Sequence, residues 1–96
     1  MTEQETELKQ VWVFNGVNNH FPSAVFTERS LAEEWIEKYK LSGTLTAYPL
    51  NISVYDWVIE KDWFKPKQEH QLSPGFIANF SSAYQEHFHY GDEERE

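Results

Sequence analysis

One amphipathic segment limits the fold more than any other stretch of the chain. Ser30-x-x-Glu33 reads as a capping box, in which two side chains satisfy free N–H groups at a helix start. Leu31, Ala32, Trp35, Ile36 and Tyr39 follow at spacings that place them on a single stripe. Glu33, Glu34 and Glu37 come early and Lys38 and Lys40 late, as the helix macrodipole favours. Gly43 lies just past the end, where a left-handed cap wants glycine. The pattern predicts a helix over 31–41. One apolar stripe cannot be left in water, so a second layer must cover it.

The flanking segments supply strands for that layer. Val11-Trp12-Val13-Phe14 is β-branched and aromatic and predicts a buried strand. Asn15-Gly16 and Asn18-Asn19 are turn residues, and Ala24-Val25-Phe26-Thr27 predicts a second strand of a wide-looped hairpin. Thr44 to Tyr48 alternates as a third strand, which Pro49 ends or places at an edge. Residues 52–64 fit either period, but Ser53-x-x-Asp56 offers a second capping box and favours a short helix over 53–62. Pro66 forbids its continuation. Residues 65–72 are polar and predict a loop. Ser73-Pro74 is an N-cap with Pro at the first helical position, followed by Phe76, Ile77 and Phe80 on one face of a helix near 74–81. Residues 83–90 read as a helical extension or as a strand, and Ser81-Ser82 as a break favours the strand. The order is then β-β-α-β-α-α-β. This is an α+β fold, a small mainly antiparallel sheet with helices packed on one face.

The same segments resemble, in combination, a small bacterial single-domain family of unknown function. The motifs are Val11-Trp12-Val13-Phe14, Phe21-Pro22-Ser23, Ala32-Glu33-Glu34-Trp35-Ile36 and Leu41-Ser42-Gly43-Thr44-Leu45-Thr46. Tyr48-Pro49, Val54-Tyr55-Asp56-Trp57, Ile59-Glu60-Lys61, Ser73-Pro74, Phe76-Ile77 and Gln85-Glu86-His87 with His89-Tyr90 continue it. The resemblance covers about residues 11–91 and implies one compact domain. It implies no activity. Asp62 is a departure, because it stands where glycine would suit a helix end.

Composition narrows the function classes. With 96 residues the chain holds one domain, expected over residues 9–90 between acidic disordered tails at 1–8 and 91–96. It has no Cys, hence no disulfide framework, thiolate metal site or Cys nucleophile. No basic-plus-apolar leader and no long apolar span is present, so a cytoplasmic location is expected and no membrane contact. The net charge of -8 disfavours nucleic acid. Much of that charge sits at the ends: residues 11–91 carry nine acids against six bases.

The candidate chemistries are few. His87-x-His89 places two imidazoles on one face if the segment is a strand, with Gln85 beside them. His20, His70 or Glu86 could complete a Zn or Ni site. Asp56, among Val54, Tyr55, Trp57 and Val58, is a carboxylate that burial could tune for acid/base work. No Gly-x-Ser-x-Gly elbow and no clustered glycines for a phosphate loop accompany it, so no enzyme and no cofactor is expected. Lys61, Lys65 and Lys67 flank Trp63 and Phe64, too small a basic patch to outweigh the acidity.

Sixteen aromatic rings exceed what one small sheet and two periodic helices need. Val11, Val13, Phe26, Trp35, Ile36 and Leu45 are the expected core. Trp12, Phe21, Trp63, Tyr84, Phe88 and Tyr90 are candidates for a rim. The expected function is a non-enzymatic protein-binding module, in concrete form an immunity-like or antitoxin-like partner of a cationic protein. Its surface would comprise Glu33, Glu34 and Glu37 with Trp12, Trp63 and Tyr90. The alternatives are a metal- or small-ligand-binding protein centred on His87 and His89, and a homodimer paired through an edge strand.

Overall fold

The computed structural model describes residues 10–91; the expected tails lie outside the described residues, Gly91 apart. The chain runs β1 (Gln10–Gly16), β2 (Ala24–Phe26), α1 (Arg29–Tyr39), β3 (Gly43–Pro49), α2 (Val54–Glu60), a 3-10 turn (Glu69–Leu72), α3 (Pro74–Ala78) and β4 (His87–Tyr90). The strands form one antiparallel sheet in the order β2-β1-β3-β4. The α+β order read from the sequence therefore holds. Its loop at 65–72 gains the 3-10 turn, and its last strand starts only at His87.

Trp12, Phe14, Leu45 and Ala47 share one buried sheet face, and Ala32 and Ile36 of α1 pack on it. Trp35 reaches across with its ring edge-on to Phe14 at 5.5 Å and tilted on Phe26 at 5.7 Å. This reverses the expected phase of β1: Trp12 is 6% exposed, whereas Val11 and Val13 lie on the opposite, partly exposed face. Four consecutive apolar residues carry no alternation of their own. The phase is set by which pair meets α1, and the two large rings bury more area there than the two valines would.

Two expectations for α1 also change. No side chain caps its N-terminus, and its residue before the first turn is Glu28 rather than Ser30. Its C-terminus is closed by Lys40 in the left-handed conformation, with the Leu41 N–H donating to Ile36 at 3.0 Å and the Lys40 N–H to Glu37 at 3.3 Å. Gly43 instead opens β3 where a Cβ would collide with the Asn15 carbonyl oxygen and the Phe14 ring. It is required by close approach of two strands.

A second apolar cluster lies along α2 and α3. Tyr55 is buried among Phe64, Phe76 and Phe80, with ring centres 5.5–6.3 Å away. Its hydroxyl donates to the Gln71 carbonyl at 2.8 Å, so the buried phenol is satisfied. Gln71 in turn accepts the Lys67 and Gln68 N–H groups and closes the 3-10 turn. Ser53 and Ser73 cap α2 and α3 as predicted, accepting from the Asp56 and Phe76 N–H groups at 3.0 and 3.2 Å. Among the described residues, no helix is long and apolar enough to cross a membrane.

Candidate functional site

Two of the exposed aromatics, Trp63 and Tyr84, meet at one cleft. It has a volume of about 330 Å³ and is lined by Gln10, Ala47, Pro49, Trp57, Lys61, Trp63, Tyr84, Gln85 and Glu86. Trp63 and Tyr84 stack with centres 4.4 Å apart and planes 24° from parallel, and Trp57 meets Trp63 edge-on at 5.4 Å. Trp63 and Tyr84 remain 43% and 58% exposed despite this stacking.

Local chain geometry places each ring. Trp57 projects from α2. Asp62, the residue standing where glycine would suit, turns left-handed with φ 67°. The Trp63 N–H then donates to the Val58 carbonyl at 2.9 Å and the Asp62 N–H to Ile59 at 3.0 Å. That cap brings Trp63 back beside Trp57. Tyr84 sits in a turn built by Ser82 and Gln85: the Tyr84 N–H donates to Ser82 Oγ and the Ser82 N–H to Gln85 Oε1, each at 3.1 Å. Gln85 is 4% exposed, and its Nε2 donates to the Ala47 carbonyl at 3.1 Å. Gln85 is thus a buried brace between this turn and β3: its side chain turns away from the histidines, while its carbonyl oxygen stays 3.1 Å from His87 Nδ1. Glu86 and Lys61 form no ion pair among the described residues.

The predicted partner surface does not assemble as one patch. Trp12 is removed from it by burial in the core. Glu33 faces the sheet, accepting from the Tyr90 hydroxyl at 2.7 Å and from Arg29 Nε at 3.1 Å. Those bonds hold its carboxyl below the usual carboxylate range, the Tyr90 hydrogen bond contributing most. Burial, and then the same bond, push the Tyr90 hydroxyl up to about 12. Arg29 also lies 3.7 Å from the Phe88 ring centre. Glu33 and Tyr90 therefore fasten β4 to α1. Glu37 pairs with Lys40 at 2.7 Å in full solvent, which holds its carboxyl low as well. Glu34 is exposed on α1. Trp63 alone of the predicted set lies in the cleft. Tyr84 was visible as a possible rim aromatic, and nothing in its local sequence signals its pairing with Trp63.

The other candidates also find places. Asp56 is exposed at the start of α2, so the burial invoked for acid/base work is absent. Lys65 pairs with Asp62 at 3.5 Å. His87 and His89 do share one face of β4, with ring centres 5.4 Å apart. Among the described residues, no group of three His, Cys, Asp or Glu side chains is arranged to hold a metal ion.

A family model described as a domain of unknown function, DUF7710, matches residues 11–96. No curated protein and no solved structure matches the chain.

Proposed function

The chain belongs to the DUF7710 family of domains of unknown function, and within it we propose that this protein is a small cytoplasmic protein-binding module whose recognition surface is the Trp57–Trp63–Tyr84 cleft. One observation carries the reading. Two large rings stack face to face in the lining of a cleft and stay about half exposed. Trp and Tyr dominate binding hot spots because they offer large, rigid contact area at little entropic cost. The cleft adds a carboxylate, Glu86, and an ammonium, Lys61, neither in an ion pair among the described residues, beside apolar walls. Those groups suit a polypeptide segment with an apolar anchor and charged flanks. The absence of Cys agrees with a reducing compartment.

The reading moves away from the acidic face first expected. Glu33 and Glu37 are already engaged by Arg29, Tyr90 and Lys40, so a cationic partner would have to displace those bonds. An immunity-like role stays open only through the cleft. The experiment is photo-crosslinking in the native host, with a photoreactive phenylalanine at position 84 and, as control, at position 39 on α1. One protein captured from position 84 alone supports the proposal. Equal capture from both positions, self-capture only, or no capture overturns it.

A further inference from the structure

The sheet face opposite the core carries a second arrangement with its own chemistry. His87 and His89 project from it two residues apart on β4, beside Thr46 and Thr44 of β3. Both imidazoles are exposed and both are held through the same ring atom. His87 Nδ1 lies 3.1 Å from the Gln85 carbonyl oxygen, which only accepts, so Nδ1 is the donor there and the neutral ring presents the Nε2 lone pair. His89 Nδ1 lies 3.2 Å from Thr44 Oγ1, a hydroxyl that accepts as readily as it donates. Anchoring one imidazole nitrogen to a carbonyl or hydroxyl while the other stays free is the outer support that metal-ligating histidines use.

The ring-centre spacing is the one that a single shared ion requires. An imidazole bound at a metal–nitrogen distance of about 2.0–2.1 Å has its ring centre about 3.2 Å from the metal, and a tetrahedral angle then puts two centres about 5.2 Å apart. The observed centres are 5.4 Å apart. An open groove of about 470 Å³, with Asn15, Thr44, Thr46 and His89 in its lining, reaches the site from the His89 side and leaves room for water. Glu86 lines the aromatic cleft on the other side and is not a ligand here.

We infer that His87 and His89 form a two-imidazole site for a borderline divalent transition ion such as Zn²⁺, with water in the remaining positions. Imidazole nitrogen selects this class over Mg²⁺ and Ca²⁺, which prefer oxygen. Two protein ligands make the site exchangeable. It lies apart from the aromatic cleft and does not depend on the role proposed for it.

Titration calorimetry of the untagged full chain tests the inference, with Zn²⁺, Cu²⁺ and Mg²⁺ as probes. One Zn²⁺ per chain is expected, Cu²⁺ should bind more tightly, and Mg²⁺ should not bind. His87→Ala and His89→Ala should each abolish Zn²⁺ uptake, whereas His20→Ala and His70→Ala should leave it unchanged. Thr44→Val, which keeps both ligands and removes one anchor, should weaken binding about tenfold. Imidazole nitrogen resonances provide a readout that needs no variant: Zn²⁺ should shift Nε2 of these two rings. No uptake by the wild-type chain, uptake that survives the double histidine variant, or shifts confined to His20 or His70 would overturn the inference.

Discussion

The Gln85 amide fastens the turn that carries Tyr84 to the Ala47 carbonyl of β3. Replacing it with leucine keeps the volume but leaves that carbonyl and the Ser82 N–H without their partner. The expected cost is about 1–3 kcal/mol in urea unfolding. Leu45 is fully buried at the centre of the core. Leu45→Ala should cost about 2–5 kcal/mol in the same measurement, the range set by how far the core collapses onto the gap. Tyr90 gives a test in pH. Its hydroxyl ionises at about 12 in the folded chain and at about 10 when unfolded. The stability linked to it is therefore whole below pH 10 and is lost as the pH rises toward 12. The last tyrosinate absorbance step should vanish in Tyr90→Phe; an unchanged titration would show that another tyrosine carries it. Glu33 has the opposite sign, because its carboxyl is held low. Its contribution is present above the ordinary carboxylate value and fades as the pH falls through the lowered one. None of these pairings was legible beforehand. Glu33 and Tyr90 are 57 residues apart, and the capping motif at Ser30 offered Glu33 a nearer partner. The carboxylate instead takes two strong donors, a phenol and a guanidinium, in place of one terminal backbone N–H.

Element ends were legible where a short polar side chain acts locally. Ser53 and Ser73-Pro74 announce the starts of α2 and α3, and both hydroxyls make the expected bonds. Ends that depend on backbone conformation were legible at position 62, where glycine would suit, and not at Lys40. Lys40 and Asp62 both take the left-handed cap position at φ 55° and 67°, with no glycine to mark it. A side chain there costs about 1–2 kcal/mol, partly offset by the greater freedom that glycine gives the unfolded chain. Lys40→Gly should therefore stabilise the protein by about 0.5–1 kcal/mol, seen as a higher urea midpoint at unchanged slope. The Lys40–Glu37 pair lost with it is solvent-exposed and offsets little. Strand β4 was legible as a strand from its alternation, but its start was not. The side chains of Ser82 and Gln85 tie residues 82–85 into a turn and delay the strand to His87.

At the scale of the molecule, most of the aromatic residues divide among three tasks. One set packs between the sheet and α1, one surrounds Tyr55 along α2 and α3, and one stacks at the cleft. The sequence showed the surplus of rings and the α+β class. It could not show the division, because Trp12 and Trp63 look alike until the phase of β1 and the cap after α2 are known. The central claim is that the exposed stack binds a partner segment. Its most direct test is the affinity of the partner captured through position 84 for the wild-type chain, Trp63→Ala and Phe21→Ala. Phe21 is the control, since it is 76% exposed and belongs to the distant β1–β2 loop. Trp63→Ala should weaken binding at least about tenfold, roughly 1.4 kcal/mol, with Phe21→Ala within twofold of wild type. Wild-type affinity in Trp63→Ala would contradict the account.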